Sequence, residues 1–348
     1  MVNESIQQSE AINRAFSCEF VNISPANDLK DLGKLSFAKV LSSSAILIRC
    51  IKAYFRFKPS LVYLTLSPHG AAFWKDALIL QILKLFGARA VVHLHGKGIH
   101  KIVVNSRFKQ HVYKTVFRKV SVIHLSESLF SDIYLVKDPD MPLIAVNNGI
   151  ADHFRNEQRE PNEKVNFLYL SNLVPTKGAD TLIKAINGLP IEYADKFKVD
   201  FVGKISSDSF FCQLQKDLNS TFSNAVSFKG PLYSDDKTNM LKQSDVFVLP
   251  SRNECFPLSI LEAMSFALPV LSTFEGAIPD IVTDDVDGFL FEANDHIQLS
   301  KLIRLYIDNR EKITQHGDSA RAKYLEKFTK ESFENNLITA LRTIANET

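Results

Sequence analysis

Short apolar runs alternate with longer amphipathic stretches along almost the whole of this 348-residue chain, and the rhythm stops once and then restarts. Short apolar runs bounded by turn-forming residues read as strands buried on both faces, and the amphipathic stretches between them read as helices. Alternation of the two means βα units, in which crossover helices join parallel strands. In the first half the expected strands are Glu19–Ile23, Leu61–Leu66, Ala90–His95, Val120–Leu125 and Leu143–Val146. The helices expected between them are Asn3–Phe16, Lys34–Phe57, Ala71–Phe86, Val103–Phe117 and Leu129–Leu135.

The interruption lies between Gly149 and Val165, where the chain turns polar and charged and carries Pro161. It reads as a linker. The second half is expected to hold strands at Asn166–Ser171, Lys198–Val202, Ala225–Lys229, Val246–Pro250, Pro269–Ser272 and Gly288–Phe291. Its expected helices are Ala179–Asn187, Phe210–Leu218, Ser234–Gln243 and Ser259–Phe266, followed by a tail that is helical from His296 to Ala345. The resulting plan is an α/β chain of two doubly wound domains, residues 1–150 and 151–330, with a C-terminal helix over 331–348 that packs back on the first domain. At roughly 150 residues per domain the length fits two. In doubly wound sheets ligands bind beyond the carboxyl ends of the strands, so chemistry is sought just after each strand, in the cleft that two such domains face.

Composition narrows the class. With 45% hydrophobic and 23% charged residues both halves can bury a core. The four cysteines, Cys18, Cys50, Cys212 and Cys255, form no CxxC pair and no zinc spacing with histidines, so they read as reduced thiols of a cytoplasmic protein. The polar N-terminal stretch does not read as a signal peptide. The longest uncharged apolar candidate, Val40–Ile48, falls far short of the ~20 residues a membrane helix needs. No GxGxxG, GxSxG or GxxxxGK[ST] follows any expected strand, which disfavours a nicotinamide dehydrogenase, an α/β-hydrolase and a P-loop enzyme.

The most informative stretch is Leu249–Pro269, LPSRNECFPLSILEAMSFALP. A strand ends in a polar loop carrying Glu254, then Pro257, and a helix starts near Leu258. Proline at a first helical turn gives up an N–H that has no intrahelical partner. The N–H groups left free there, with the positive end of the helix dipole, suit a phosphate. A carboxylate on the helix, Glu262, suits a ribose diol, and one in the loop, Glu254, suits sugar hydroxyls. Two glutamates at this spacing also suit an ordinary amphipathic helix with solvated carboxylates; the whole string is far more specific.

That string, Glu254-Cys-Phe-Pro-Leu-Ser-Ile-Leu-Glu262, resembles the EX7E signature of the retaining GT-B glycosyltransferases of family 4 (glycosyltransferase group 1), among them bacterial surface-polysaccharide enzymes. The order of other landmarks agrees with it: Asn148-Gly-Ile-Ala-Asp152-His-Phe154, Ser171-Asn-Leu-Val-Pro-Thr-Lys177-Gly178, Phe201-Val-Gly203, Phe228-Lys-Gly230, Gly276 and Gly288-Phe-Leu. The resemblance implies a GT-B fold and transfer of a hexosyl-type group from a nucleoside diphosphate sugar, with retention, without an obligatory metal or cofactor. It implies that Lys177 meets the donor diphosphate, Glu262 the ribose and Glu254 the transferred sugar. Phe256, Pro257 and Leu258 then shape the pocket, and Gly178 and Gly203 let the backbone approach the donor. The family's usual arginine is Asn172 here, so one phosphate cation is missing, and Lys204 is the candidate to compensate.

In the first half His93-Leu-His95-Gly96-Lys97-Gly98 follows a strand directly. His93 and His95 point the same way, but no third ligand sits at a convincing spacing, so no metal is expected. The resemblance places a sugar-facing histidine here. His95, beside the glycine turn, is the better match, with Gly96 and Lys97 on the acceptor side, while His93 reads as core. The resemblance also leads one to expect an opening strand and glycine loop, which this sequence lacks; a chain truncated from a longer protein is the favoured reading, a rearranged fold the other.

Seven Lys or Arg and no Asp or Glu lie between Lys97 and Lys119, interleaved with Val103, Val104, Phe108, Val112, Tyr113, Val116 and Phe117. Arg49, Lys52, Arg56 and Lys58 surround Ile51, Tyr54, Phe55 and Phe57 in the same manner. Basic amphipathic helices of this kind can lie on an anionic membrane, and a solvated basic face is the plainer alternative. No nucleic-acid-binding module is visible. The reading is a cytoplasmic, peripherally membrane-bound transferase acting on a glycan or polyprenyl-linked acceptor in lipopolysaccharide or capsule synthesis. A sugar-nucleotide epimerase of the same plan would convert donor without acceptor, and an inactive sugar-nucleotide-binding protein would bind donor without turnover.

Overall fold

Parallel strands buried on both faces organise the chain into two compact units, residues 1–146 with 334–348, and residues 147–333. The computed structural model describes residues 2–23, 37–154 and 163–346. Much of the expected linker lies outside the described residues.

In the first unit, among the described residues, the helices α1 (Val2–Gln8), α2 (Glu10–Ala15) and α3 (Phe37–Phe57) precede the first strand. They are followed by β1 (Val62–Thr65), α4 (Gly70–Leu85), β2 (Ala90–Leu94), α5 (Ile99–Val103), α6 (Arg107–Phe117), β3 (Val120–His124) and β4 (Leu143–Ala145). All four strands are parallel and lie in sequential order, β1-β2-β3-β4. Every residue of β2 and β3 is buried, which is why both are dominated by apolar residues, interrupted by His93, Ser121 and His124. Phe73, Leu80, Val92, Leu94, Phe117 and Val120 form the core between this sheet and its helices.

Four expectations change here. Glu19–Ile23 is not a strand. Its short apolar run suits one, but a strand exists only by pairing its backbone. Among the described residues no strand pairs with the outer edge of β1. Val21 and Ile23 instead pack on Ile46, Cys50, Ile79 and Leu83, and a cavity of about 500 Å³ borders β1 between this segment, α3 and α4. The helix expected over Asn3–Phe16 breaks at Ser9, whose Oγ accepts the Ile12 N–H at 3.2 Å and starts a new helix. The helix expected over Val103–Phe117 breaks at Ser106, which caps Lys109 at 3.3 Å. Leu129–Leu135 is a 3-10 turn over Glu127–Asp132.

The second unit runs β5 (Val165–Leu170), α7 (Ala179–Asn187), β6 (Phe197–Val202), α8 (Asp208–Asp217), β7 (Val226–Gly230), α9 (Ser234–Gln243), β8 (Val246–Leu249) and α10 (Leu258–Ser265). It continues with β9 (Val270–Thr273), α11 (Ile278–Ile281), β10 (Gly288–Phe291), α12 (His296–Asp308) and α13 (Arg310–Lys327). The last helix, α14 (Lys330–Asn346), enters the first unit from Glu334 on, where the Arg89 guanidinium donates to the carbonyls of Ile344 and Ala345.

The six strands of the second unit are parallel in the order β10-β9-β8-β5-β6-β7. The order runs outward in both directions from the β5–β8 pair, which makes this the switch point of a doubly wound sheet. The loops leaving β5 and β8 therefore diverge to opposite faces and leave a crevice between them at the carboxyl end.

Candidate active site

The loop after β5 and the loop after β8 are held together by several bonds across that switch point. Gly178 has φ +75°, and a Cβ there would lie 1.8 Å from the Pro250 carbonyl oxygen, so only glycine lets the two loops touch. The Arg252 N–H donates to the Thr176 carbonyl at 2.8 Å, and the Ser251 hydroxyl to the same oxygen at 3.0 Å. The Arg252 guanidinium reaches Asp180 Oδ2 at 2.6 Å and Thr181 Oγ1 at 2.8 Å, and also contacts the Pro175 carbonyl and Asn294. From beneath, the buried Tyr169 hydroxyl lies 3.3 Å and 3.4 Å from the carbonyl oxygens of Asn172 and Lys177. Burial pushes its pKa well above the ordinary tyrosine value, so it stays a donor.

This framework brings Lys177 and Glu254 together. The Lys177 ammonium lies 2.5 Å from Glu254 Oε1, and the carboxylate is only 7% exposed. A carboxylate so buried needs a charged or hydrogen-bonding partner, and Lys177 supplies it. The lysine keeps 26% of its side chain exposed. The loop continues through buried Phe256, which meets Phe328 edge-on, to Pro257 at the N-cap of α10 and to half-buried Leu258. The first N–H groups of α10 thus face the same crevice end of the sheet.

Glu262 sits on the second turn of α10, and Lys237 of α9 pairs with its Oε1 at 2.7 Å. Asn172 does not carry charge to the site; its Oδ1 accepts the Lys204 N–H at 3.3 Å and ties the ends of β5 and β6. At Gly203 a Cβ would lie 1.9 Å from the Ser171 carbonyl, so the same two strand ends are in backbone contact. Lys204 itself is exposed at the rim.

Lys237 and Arg252 were not singled out from the sequence. Lys237 lies in a polar helix with three other charges, and Arg252 in a loop; nothing local marks either. Their partners stand 25 and 72 residues away.

His95, Gly96 and Lys97 belong to the first unit. His95 follows β2 with its ring 4.1 Å from that of His93, which is fully buried and bonded through Nδ1 to the Tyr63 hydroxyl at 2.6 Å. His124, at the end of β3, accepts the Leu125 N–H through Nδ1. Both ring nitrogens of His95 and the Nε2 atoms of His93 and His124 are buried without a partner. Burial lowers the pKa of His95 to about 4 and that of His124 to about 3, and holds His93 well below the ordinary value, so all three are neutral near pH 7. Among the described residues no group of three or more His, Cys, Asp or Glu is placed to hold a metal ion.

The sequence model of the family Glycosyl transferases group 1 matches residues 151–323, which contain Lys177, Lys237, Arg252, Glu254 and Glu262. The sulfoquinovosyl transferase SQD2 of Arabidopsis thaliana is 27% identical over 315 residues, 82% of this chain and 57% of that protein. The UDP-Gal:alpha-D-GlcNAc-diphosphoundecaprenol alpha-1,3-galactosyltransferase of Escherichia coli is 36% identical over 115 residues, 30% of each chain. This chain therefore spans less than two thirds of the length of either relative. Among solved structures, Anabaena HepE in complex with UDP superposes with a TM-score of 0.72 at 19% identity, covering 86% of this chain and 82% of that one. At that identity the likeness establishes the two-domain GT-B fold.

Proposed function

We propose that this chain, which belongs through residues 151–323 to the group 1 glycosyl transferases, moves a hexosyl-type sugar from a nucleoside diphosphate sugar to a hydroxyl of a glycan acceptor. The observation that carries this reading is the Lys177–Glu254 pair, 2.5 Å apart at the switch point of the nucleotide-binding type of sheet. Lys177 and the N-terminus of α10 stabilise the diphosphate as it leaves. Glu262 holds the ribose, and Glu254, with Phe256, Pro257 and Leu258 around it, holds the transferred sugar. Asn172, Gly178, Gly203 and Lys204 form the rest of the donor wall, and His95, Gly96 and Lys97 serve the acceptor side. No cofactor is required.

In the reaction the bond between the anomeric carbon and the diphosphate oxygen breaks, the acceptor oxygen bonds to that carbon, and the acceptor proton passes to the departing diphosphate. Attack from the leaving-group face gives retention. The acceptor is a glycan on a polyprenyl lipid, and the enzyme works at the cytoplasmic face of the membrane in surface polysaccharide synthesis. The E. coli relative, named for an undecaprenol-linked acceptor, supports this reading, as do the basic helices of the first unit. The test is the anomeric configuration of the product formed on a polyprenyl-diphosphate-linked sugar. An α-linked product from an α-linked donor agrees with the reading; an inverted product overturns retention, and turnover of donor without acceptor would make the chain an epimerase.

A further inference from the structure

Between residues 32 and 126 the chain carries sixteen Lys or Arg and a single acid, Asp76, leaving 25 basic and 38 acidic residues elsewhere. Asp76 is 3% exposed and pairs with Lys75 at 3.1 Å. Among the described residues of this stretch the exposed charges are therefore all positive, Glu19 before it pairing with Arg56. Its helices α3, α4 and α6 pack side by side, with α4 in the middle. Gln81 and Lys84 of α4 donate to the carbonyls of Thr115 and Val116 at the end of α6, and Ile79 and Leu83 pack on Ile46 and Cys50 of α3.

The outward face of α4 is apolar. Trp74, Leu78 and Leu85 are 57%, 55% and 85% exposed, and lie within about 40° of one another around the helix axis. Phe86 and Phe55 extend the patch, 5.0 Å apart edge-to-face. On one side stand Arg49 and Lys52 of α3, with Arg56 beyond them paired to Glu19, and on the other Lys114 and Arg118 at the end of α6, all five cations exposed. A solvated helix face has no use for an unpaired Trp–Leu–Leu stripe, which costs about 25 cal/mol per Å² left in water.

We propose that α4 lies in the interface of an anionic bilayer, with Trp74, Leu78 and Leu85 entering the acyl region and the cations of α3 and α6 on the headgroups. A tryptophan at the border of the acyl region, beside aliphatic side chains and flanking lysines and arginines, is the chemistry such a boundary selects. Nucleic acid would use the same charge but leaves the aliphatic stripe unexplained. The surface deepens the proposed lipid-carried acceptor by naming the part of the protein that meets the lipid.

Trp74 is the sole tryptophan of the chain, so its fluorescence reports this face alone. The full chain is mixed with vesicles of phosphatidylcholine, or of phosphatidylcholine with phosphatidylglycerol, some brominated in the acyl chains. The expected result is co-sedimentation with anionic vesicles, a blue shift of Trp74 emission and quenching by the brominated lipid. Lys52→Glu with Lys114→Glu should lower partitioning by roughly tenfold or more, and so should Leu78→Ser with Leu85→Ser, with circular dichroism unchanged. Equal binding to uncharged vesicles, binding that leaves Trp74 unshifted, or preference for duplex DNA over anionic vesicles would each overturn the proposal. The readout needs no turnover, so a failure of the donor chemistry and a failure of this surface register separately.

Discussion

The ammonium of Lys177 and the carboxylate of Glu254, 77 residues apart in the chain, meet at 2.5 Å where the strand order of the second unit reverses. Each belongs to a loop that leaves the sheet on a different side. The pair is thus a consequence of the winding rather than of local sequence. Breaking it removes the charge partner of a carboxylate that is 7% exposed.

Lys177→Ala should therefore lower kcat/KM by about a hundredfold or more, the loss of one electrostatic contact to a developing anion. It should also cost stability of about 1–3 kcal/mol, because Glu254 is left buried without its partner. Steady-state kinetics and urea unfolding measure the two effects. Adding Glu254→Gln to Lys177→Ala should restore part of the stability and none of the activity.

Arg252 touches no position assigned to substrate, yet it fastens one loop to the other. Arg252→Ala should raise the donor KM more than it lowers kcat, and destabilise by about 1–3 kcal/mol as Asp180 loses its partner. Arg252→Lys should recover only part, since one ammonium cannot span the contacts of the guanidinium. An unchanged KM in the alanine variant would mean that the loops hold their places without it.

The Lys237–Glu262 pair is more exposed, at 31% and 26% of the side chains, and a double-mutant cycle should give a coupling of only about 0.5–1 kcal/mol in stability. Lys237→Gln should nonetheless weaken donor binding if Glu262 meets the ribose, because the carboxylate loses the ammonium that orients it. Titration with nucleoside diphosphate measures this.

The first unit should lose stability in acid. His95 titrates near 4 and His124 near 3 in the folded chain, against roughly 6.5 unfolded. Between those limits the unfolded state binds more protons, so stability falls as pH drops below about 6.5 and levels off once the folded pKa is passed. Fully developed, the penalty is roughly 3 kcal/mol for His95 and roughly 5 kcal/mol for His124. Urea midpoints at pH 7 and pH 4.5 should differ by more in the parent than in His124→Gln.

The second unit was legible in the sequence because its central strands are mostly apolar and several of its turns carry glycine or proline. The helices Ala179–Asn187 and Ser234–Gln243 and the strand Gly288–Phe291 fall where the pattern puts them. The first unit was less so, for two physical reasons. Glu19–Ile23 has the short apolar run of a strand, but pairing depends on a partner that the segment's own pattern does not reveal. Ser9 and Ser106 look like ordinary polar positions on an amphipathic face; each instead caps a backbone N–H three residues on and so divides a helix in two. In the site, Glu254 and Glu262 were visible through one motif string and Lys177 and Gly178 through a second. Lys237, Arg252 and the Tyr63–His93 bond were not, because each contact closes between residues that the chain separates by 25 to 77 positions or places on neighbouring strands.

Release of nucleoside diphosphate from a panel of nucleoside diphosphate sugars, with a polyprenyl-diphosphate-linked acceptor present, tests the central claim most directly. Release is expected from one donor, dependent on acceptor, and lost in Lys177→Ala and in Glu262→Ala. Tight donor binding with no release from any sugar, or release undiminished in both variants, would contradict it.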